Sequence, residues 1–293
     1  MRIGAIGLGT MGLPMARRLV AAGHELVGCD LDPTRVEALG ATGAGTPAEV
    51  AHGSEAVLLS LPAPAAVEEA VLGPGGVRAG ARPGALLVDL STSPPALARR
   101  LAAECPALDV LDAPVSGGPR GAADATLTVM VGGEREVFER ARPLFEVLGS
   151  LVVHVGGHGA GQAAKLCNNL IAGTTMAALA EACAIAVDEG IDPATLYELL
   201  TASTGDSRVL RTRFPLAGVD DAHPSSNGFA PLFALDLIAK DLELALELGE
   251  KHALRGAVAA AALAAYREAQ RDGLGALDYS AVYRRGESAG GAD

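Results

Sequence analysis

"MRIGAIGLGTMGLPMARRL", residues 1–19, decides how this chain is read. The apolar run IGAIG (3–7) has the character of a buried strand, and apolar positions at helical spacing continue over 11–22. Gly7-Leu8-Gly9-Thr10-Met11-Gly12 therefore joins a strand to a helix. In that context the first glycine permits a tight turn and the second lets a ligand approach the backbone. The third packs helix on strand, and the helix N-terminus offers N–H groups to a pyrophosphate. Asp30 closes the second strand, ELVGCD (25–30), where a carboxylate accepts hydrogen bonds from a ribose diol and repels a 2′-phosphate. NAD is the expected cofactor. Asp32 and Arg35 lie near enough in sequence to soften the preference, so NADP stays possible. The competing reading is a plain turn in a chain rich in alanine and glycine. Strand, loop, helix and acid in register weigh against it.

Outward from that loop, short apolar runs alternate with helical patterns. AVLLSLP (56–62), ALLVDLS (85–91), LDVLDAPV (108–115), TLTVMVGG (126–133) and LVVHVG (151–156) read as strands. Helices are expected over 11–22, 33–40, 64–72, 94–104 and 134–147. The alternation implies a parallel sheet covered by helices. After Gly161 the rhythm changes. A stretch nearly free of breakers reaches Gly190, and helices are expected over 193–203, 231–251 and 253–272. The expected fold is α/β: a Rossmann-type doubly wound sheet over residues 1–160, then an all-α domain over 161–293 that begins with a long connecting helix. The final GESAGGAD is expected to fray.

Composition narrows the function. A net charge of -12 argues against a nucleic-acid groove, which needs a concentrated basic surface. It leaves room for small anions in a locally positive pocket. Cys29, Cys105, Cys167 and Cys183 are scattered, with no CxxC pair, which fits reduced thiols in the cytoplasm better than a disulfide or zinc framework. The N-terminus runs straight into a strand pattern without the features of a signal peptide. No apolar run reaches 18 residues without a charge or breaker, so no membrane span is expected.

Three further places could carry chemistry. Leu61-Pro62 and Ser91-Thr92 follow strand ends, where open α/β sheets bind ligands, although each alone reads as an ordinary turn. Ser116-Gly117-Gly118 also follows a strand. Consecutive glycine N–H groups and a serine hydroxyl make a nest for a carboxylate, but taken alone a hairpin turn is the better reading. The third is KLCNN (165–169). Of 23 basic residues only Lys165, Lys240 and Lys251 are lysines, leaving twenty arginines. On a helix, Lys165 and Asn169 stand one turn apart on one face, with Gly161 a turn earlier leaving room beside them. The flanking Gln162, Ala163, Ala164, Leu166 and Cys167 carry no charge, so this is no solvated charged face. A lysine where arginine is the habit suggests a need for a compact cation that can lose its proton.

With these stretches in view, the chain resembles the β-hydroxyacid dehydrogenase family, which includes 3-hydroxyisobutyrate dehydrogenases and tartronate semialdehyde reductases. The resemblance runs almost end to end. Its motifs are IGLGTMGLPMARRL (6–19), DAPVSGG (112–118), GAGQAAKLCNN (159–169) and FAPLFALDLIAKDLELA (229–245), in that order. It implies that Lys165 is the catalytic lysine and Asn169 a substrate ligand, and that Ser116, Gly117 and Gly118 hold the substrate carboxylate. It places Thr92 and Lys240 on the nicotinamide side of the cofactor, with Asp241 in support, and it implies a homodimer or homotetramer. Lys251 is left as a surface charge. The loop TASTGDSRVL (201–210), which the family closes over substrate, matches no single substrate class, and Arg120 and Asp124 are uncertain.

The implied reaction is hydride transfer between NAD and a small 3-hydroxy acid, with Lys165 as general acid and base. Rival chemistries fit less well. None of Tyr197, Tyr266, Tyr279 and Tyr283 begins a Tyr-x-x-x-Lys motif. The six histidines form no cluster, and His158 reads as a loop residue. No His or Cys spacing suggests a metal, and Cys167 reads as helix packing rather than a nucleophile. Imine reductases share the architecture but generally lack the helix lysine. A non-catalytic nucleotide-sensing protein would not need the lysine, substrate loop and asparagine together.

Overall fold

The computed structural model describes residues 1–250 and 256–286. Two compact units divide it, residues 1–165 and 166–293. Lys251 and the tail beyond residue 286 lie outside the described residues.

The first unit is built on nine strands: β1 (Arg2–Ile6), β2 (Glu25–Cys29), β3 (Thr42–Gly43), β4 (Ala56–Leu59), β5 (Leu86–Asp89), β6 (Asp109–Asp112), β7 (Val115–Ser116), β8 (Leu127–Gly133) and β9 (Gly149–Gly156). Their order is β3-β2-β1-β4-β5-β6-β8-β7, with β9 beside β8. β3 through β6 run parallel. The parallel pattern does not extend to the far end of the sheet. There β8 is antiparallel to β6 and β7, and β9 is parallel to β8.

The central strands β1, β4, β5 and β6 are buried on both faces, which is why they read as apolar runs, whereas β9 leaves Leu151, Val153 and Val155 exposed on one side. On β4, Ala56 and Leu58 enter one core while Val57 and Leu59 enter the other, and Leu86, Val88 and Leu87 divide the same way on β5. The covering helices are α1 (Gly12–Ala21), α2 (Pro33–Leu39), α3 (Pro47–Ala51), α4 (Pro64–Leu72), α5 (Val77–Gly80), α6 (Pro95–Glu104), α7 (Gly118–Ala123) and α8 (Arg135–Glu146). The short α3, α5 and α7 escape the periodicity reading. The order 3-2-1-4-5-6 of the parallel strands puts the ligand-binding crevice at their carboxyl ends, where the loops after β1, β2, β4 and β5 lie.

Helix α9 (Ala160–Asp188) follows β9. Its first turns belong to the first unit because Asp112, at the end of β6, accepts hydrogen bonds from Gly159 N (2.7 Å) and Gln162 N (2.9 Å). That carboxylate satisfies N–H groups that a helix start leaves unpaired.

The second unit adds α10 (Pro193–Thr201), α11 (Arg208–Arg213), α12 (Leu235–Glu250) and α13 (Ala257–Arg271), with short 3-10 turns at Pro224–Asn227 and Tyr279–Arg284. Its core gathers Met176, Ala180 and Cys183 of α9 around Ile238, Leu242, Leu263 and Tyr266. The Tyr266 hydroxyl, fully buried, donates to Gly173 O at 3.0 Å. By length and composition α9 matches a membrane span, with a mean hydropathy of 1.8 in its most apolar window. One face packs into the core of the second unit, and the other leaves Ile171 and Ile185 exposed. Helix α12 starts at Leu235 rather than 231, because Asp278 captures the N–H groups of Leu232 (3.1 Å) and Phe233 (3.0 Å).

Candidate active site

In the first unit the glycine loop has three different reasons for its three glycines. Gly7 has φ +85°, and a Cβ there would stand 2.3 Å from Ser60 O. A Cβ on Gly12 would stand 1.9 Å from Gly7 O. The fold itself demands both. Gly9 is different: an added Cβ would meet only Arg35 Nη1, at 3.5 Å. Nothing in the protein forbids a side chain there, so the bare backbone suits a ligand lying against it. Helix α1 carries no acidic residue in its first turn, which keeps its positive end open to an anion. Thr10 is exposed and Met11 half-buried beside it.

Asp30 sits just past β2, its side chain 8% exposed. One oxygen accepts Leu8 N at 2.7 Å, so the carboxylate holds the glycine loop. Its other oxygen accepts Asp32 N at 2.9 Å and lies 3.5 Å from Arg35. Arg35 also pairs with Asp32 at 3.4 Å. One guanidinium thus serves two carboxylates, leaving the corner negative. The residues fit a dinucleotide with a free 2′-hydroxyl.

The loops after β4 and β5 are tied together. Leu61 N donates to Ser91 Oγ at 2.9 Å, and Ser91 N donates to Asp89 Oδ1 at 2.9 Å. Pro62 is exposed beside Leu61, and Thr92 is half-buried between the buried Ser91 and Ser93. Ser116 ends β7, and Gly117 (φ +139°) and Gly118 (φ +66°) turn the chain into α7. β7 and β8 form an antiparallel pair, and a helix with no side-chain cap at its start fills the connection. Arg120 and Asp124 form an exposed ion pair at 3.6 Å.

Lys165 is 8% exposed and Asn169 4%, one turn apart on α9. Gly161 does not leave room at the lysine, as its spacing suggested. A Cβ there would stand 2.3 Å from Met130 O and 2.7 Å from Asp112 O, so the glycine serves the close approach of α9 to the sheet. Cys167 is exposed, and core packing does not account for it.

In the second unit, Asn169 Nδ2 donates to Asp241 Oδ2 at 2.5 Å, and Asn168 Nδ2 donates to Asn169 Oδ1 at 2.9 Å. Lys240 Nζ pairs with the other Asp241 oxygen at 2.8 Å. Asp241 therefore fixes both Asn169 and Lys240, the two second-unit residues that the sequence singled out. Ser207 caps α11 by accepting Leu210 N at 3.0 Å, and Arg208 is exposed. His158 reaches Val110 O at 3.1 Å, as a loop residue that ties the chain to β6. Among the described residues no His, Cys, Asp and Glu group could hold a metal.

Residues 2–156 match the NAD binding domain of 6-phosphogluconate dehydrogenase, and residues 159–285 match the NAD-binding domain of NADP-dependent 3-hydroxyisobutyrate dehydrogenase. A 3-hydroxyisobutyrate dehydrogenase of Pseudomonas aeruginosa is 42% identical, over 96% of this chain and 98% of its own. The chain belongs to the β-hydroxyacid dehydrogenase family. An NAD-dependent L-serine dehydrogenase of the same organism is 40% identical, over 97% of each chain. The solved 3-hydroxyisobutyrate dehydrogenase of Mycobacterium tuberculosis with L-serine superposes with a TM-score of 0.88 at 36% identity, over 97% of this chain and 98% of that one. As a β-hydroxyacid dehydrogenase the protein is an NAD(P)-dependent oxidoreductase.

The motifs of this dehydrogenase passed over a buried polar group. Asp89, Asp112, Gln162 and Ser93 are all at most 3% exposed. Gln162 Oε1 accepts Ser93 N at 2.9 Å, and Gln162 Nε2 donates to Ser91 O at 2.9 Å and reaches Asp89 Oδ2 at 3.4 Å. Burial pushes the Asp89 carboxyl up to about 6, against the pull of hydrogen bonds from Ser91 and Ser93. Burial raises Asp112 as well, opposed by the N–H groups of Gly159 and Gln162. The signal was present: each aspartate ends an apolar strand, in LLVD (86–89) and DVLD (109–112).

Proposed function

We propose that this dehydrogenase oxidises a small 3-hydroxy acid, 3-hydroxyisobutyrate or a close analogue such as serine or glycerate, reversibly to its semialdehyde. Bound NAD supplies the hydride acceptor, or as NADH the donor. The loop after β1 and Asp30 would hold the dinucleotide, and Leu61, Pro62, Thr92 and Lys240 are its further proposed contacts. The Ser116 hydroxyl and the N–H groups of Gly117 and Gly118 hold the substrate carboxylate. Asn169, kept in one rotamer by Asp241, orients the hydroxyl-bearing carbon. Lys165 Nζ takes the hydroxyl proton on oxidation and returns it on reduction.

The observation that carries this reading is a buried lysine in an apolar helix turn, in a chain that otherwise writes arginine. A lysine accepts a proton only as the neutral amine. Lys165→Ala is expected to bind NADH as the wild type does while turnover falls by about 10²- to 10⁴-fold, the usual worth of a positioned acid–base group. Initial rates across 3-hydroxyisobutyrate, glycerate, threonate, 3-hydroxypropionate and serine, with a cyclic imine as control, identify the substrate class. Wild-type turnover by Lys165→Ala refutes the assignment.

The same reading makes the protein a cytoplasmic homo-oligomer. Support comes from four free thiols and from an apolar face of α9, where Ile171 is 64% and Ile185 65% exposed. Light scattering of Ile171→Asp and Ile185→Asp variants tests it: a mass unchanged from wild type argues against this face.

A further inference from the structure

We infer that Gln162 is a positioning residue: its amide clamps the α9 turn that leads to Lys165 onto the loop after β5 that carries Thr92. The inference rests on Lys165 being the acid–base group. Hydride and proton leave the same substrate carbinol, so the two acceptors must stand at a fixed separation. One is approached from the Thr92 loop and the other sits on α9. A misplacement of about 1 Å in such a pair can cost about 10²-fold.

Gln162 is 0% exposed and uses both ends of its amide. The oxygen accepts Ser93 N and the nitrogen donates to Ser91 O, so the two residues flanking Thr92 are both held by one side chain. Its own backbone N–H is held by Asp112, which also holds Gly159. The helix start is thereby fixed to β6 while the glutamine side chain fixes the β5 loop. Lys165 follows one turn later on the same helix. A residue needed only for packing at this buried position would be apolar. An amide is demanded because it must present an acceptor to an N–H and a donor to a C=O at once. Charged groups around it are Asp89, facing the amide nitrogen, and Asp112, with His158 near Asp112.

Two variants separate this role from a merely structural one. Gln162→Leu keeps the volume and leaves Ser93 N–H and Ser91 C=O without their partner. Gln162→Glu keeps the acceptor for Ser93 and regains a donor for Ser91 O only when protonated. Turnover of Gln162→Leu is expected to fall by about tenfold or more, with the NADH dissociation constant within about threefold of wild type. For Gln162→Glu the ratio of its turnover to that of wild type is expected to climb as pH is lowered from about 8 to about 6. In the cofactor-free protein, the rate at which an amine-reactive anhydride labels Lys165, read by peptide mass spectrometry, should change severalfold in Gln162→Leu while labelling of Lys240 does not.

A folded Gln162→Leu with wild-type turnover and wild-type labelling overturns the inference. So does a Gln162→Glu ratio that stays flat with pH. If Gln162→Leu does not fold, the Glu variant alone decides. Lys165→Ala measured in parallel keeps the two ideas apart: undiminished turnover there removes the lysine reading, whereas an inactive Lys165→Ala beside an unaffected Gln162→Leu removes only the clamp.

Discussion

The Asn169 amide donates to the Asp241 carboxylate at 2.5 Å, and Lys240 closes on the other oxygen at 2.8 Å. A fully buried carboxylate thus organises two side chains from different helices, and its removal takes one hydrogen-bond acceptor from each. Asp241→Ala is expected to destabilise the second unit by about 1–3 kcal/mol, the cost of leaving buried polar groups unmade. It should also raise KM for the 3-hydroxy acid more than KM for NAD, since Asn169 is the residue proposed to orient the substrate. Thermal melting and separate saturation curves for acid and cofactor check both parts.

The glycine loop yields a comparison of neighbouring substitutions. Gly12→Ala would drive a Cβ to 1.9 Å from Gly7 O, so it should lower the melting temperature and the soluble yield. Gly9→Ala has only Arg35 Nη1 near, at 3.5 Å, and should fold like the wild type. Its cost appears on the ligand instead: NADH affinity, followed by fluorescence titration, is expected to weaken by about tenfold or more, as a methyl group obstructs the pyrophosphate approach. Equal affinity in Gly9→Ala and wild type would show that the bare backbone has another purpose.

The proposed preference for NAD rests on the corner made by Asp30, Asp32 and Arg35. Asp30→Asn retains an oxygen that can accept Leu8 N, now at 2.7 Å, and removes the charge that opposes a 2′-phosphate. Arg35, released from its 3.5 Å contact with Asp30, becomes available to that phosphate. The ratio of kcat/KM for NADP to that for NAD should rise by about tenfold or more, roughly 1.4 kcal/mol. An unchanged ratio would place the discrimination elsewhere.

What the sequence made legible follows from how local each cause is. The central strands were visible because both of their faces are buried, so Val57, Leu58 and Leu59 are all apolar. Helix α9 was visible because nothing breaks it for 29 residues. Lys165, Asn169 and the glycine loop stood out by rarity or spacing. Other features are set by partners far away in the chain. Helix α12 starts late because Asp278, 45 residues beyond Phe233, takes its N–H group. Gly161 owes its identity to Met130 and Asp112, which no local window contains. Helix α3 carried its own signal, the capping box of Thr46 and Glu49, but five residues are too few for a periodicity to register. The buried Gln162 and Asp89 were hidden for the opposite reason: a glutamine in a helix and an aspartate at a strand end look ordinary until the loop that needs them folds over.

Asp89 makes the stability of the first unit depend on pH in an unusual direction. Its carboxyl is pushed by burial up to about 6 from an ordinary 3.8. Between those values the folded protein binds more protons at this group than the unfolded chain does. Stability from Asp89 is therefore fully present below about pH 4 and is lost as pH rises through about 6, the reverse of a salt-bridged carboxylate. A rise from 3.8 to about 6 corresponds to about 3 kcal/mol. Other carboxylates titrate in the same range, and hydrogen bonds hold Asp32 and Asp192 below their ordinary value, so the wild-type curve alone mixes opposite slopes. The difference between wild type and Asp89→Asn isolates the effect, because the variant has no charge to bury. Chemical unfolding at several pH values should show Asp89→Asn gaining on the wild type from pH about 4 to about 6 and holding a constant gap above that. A gap that does not change with pH would mean that Asp89 titrates in the folded protein as it does in water.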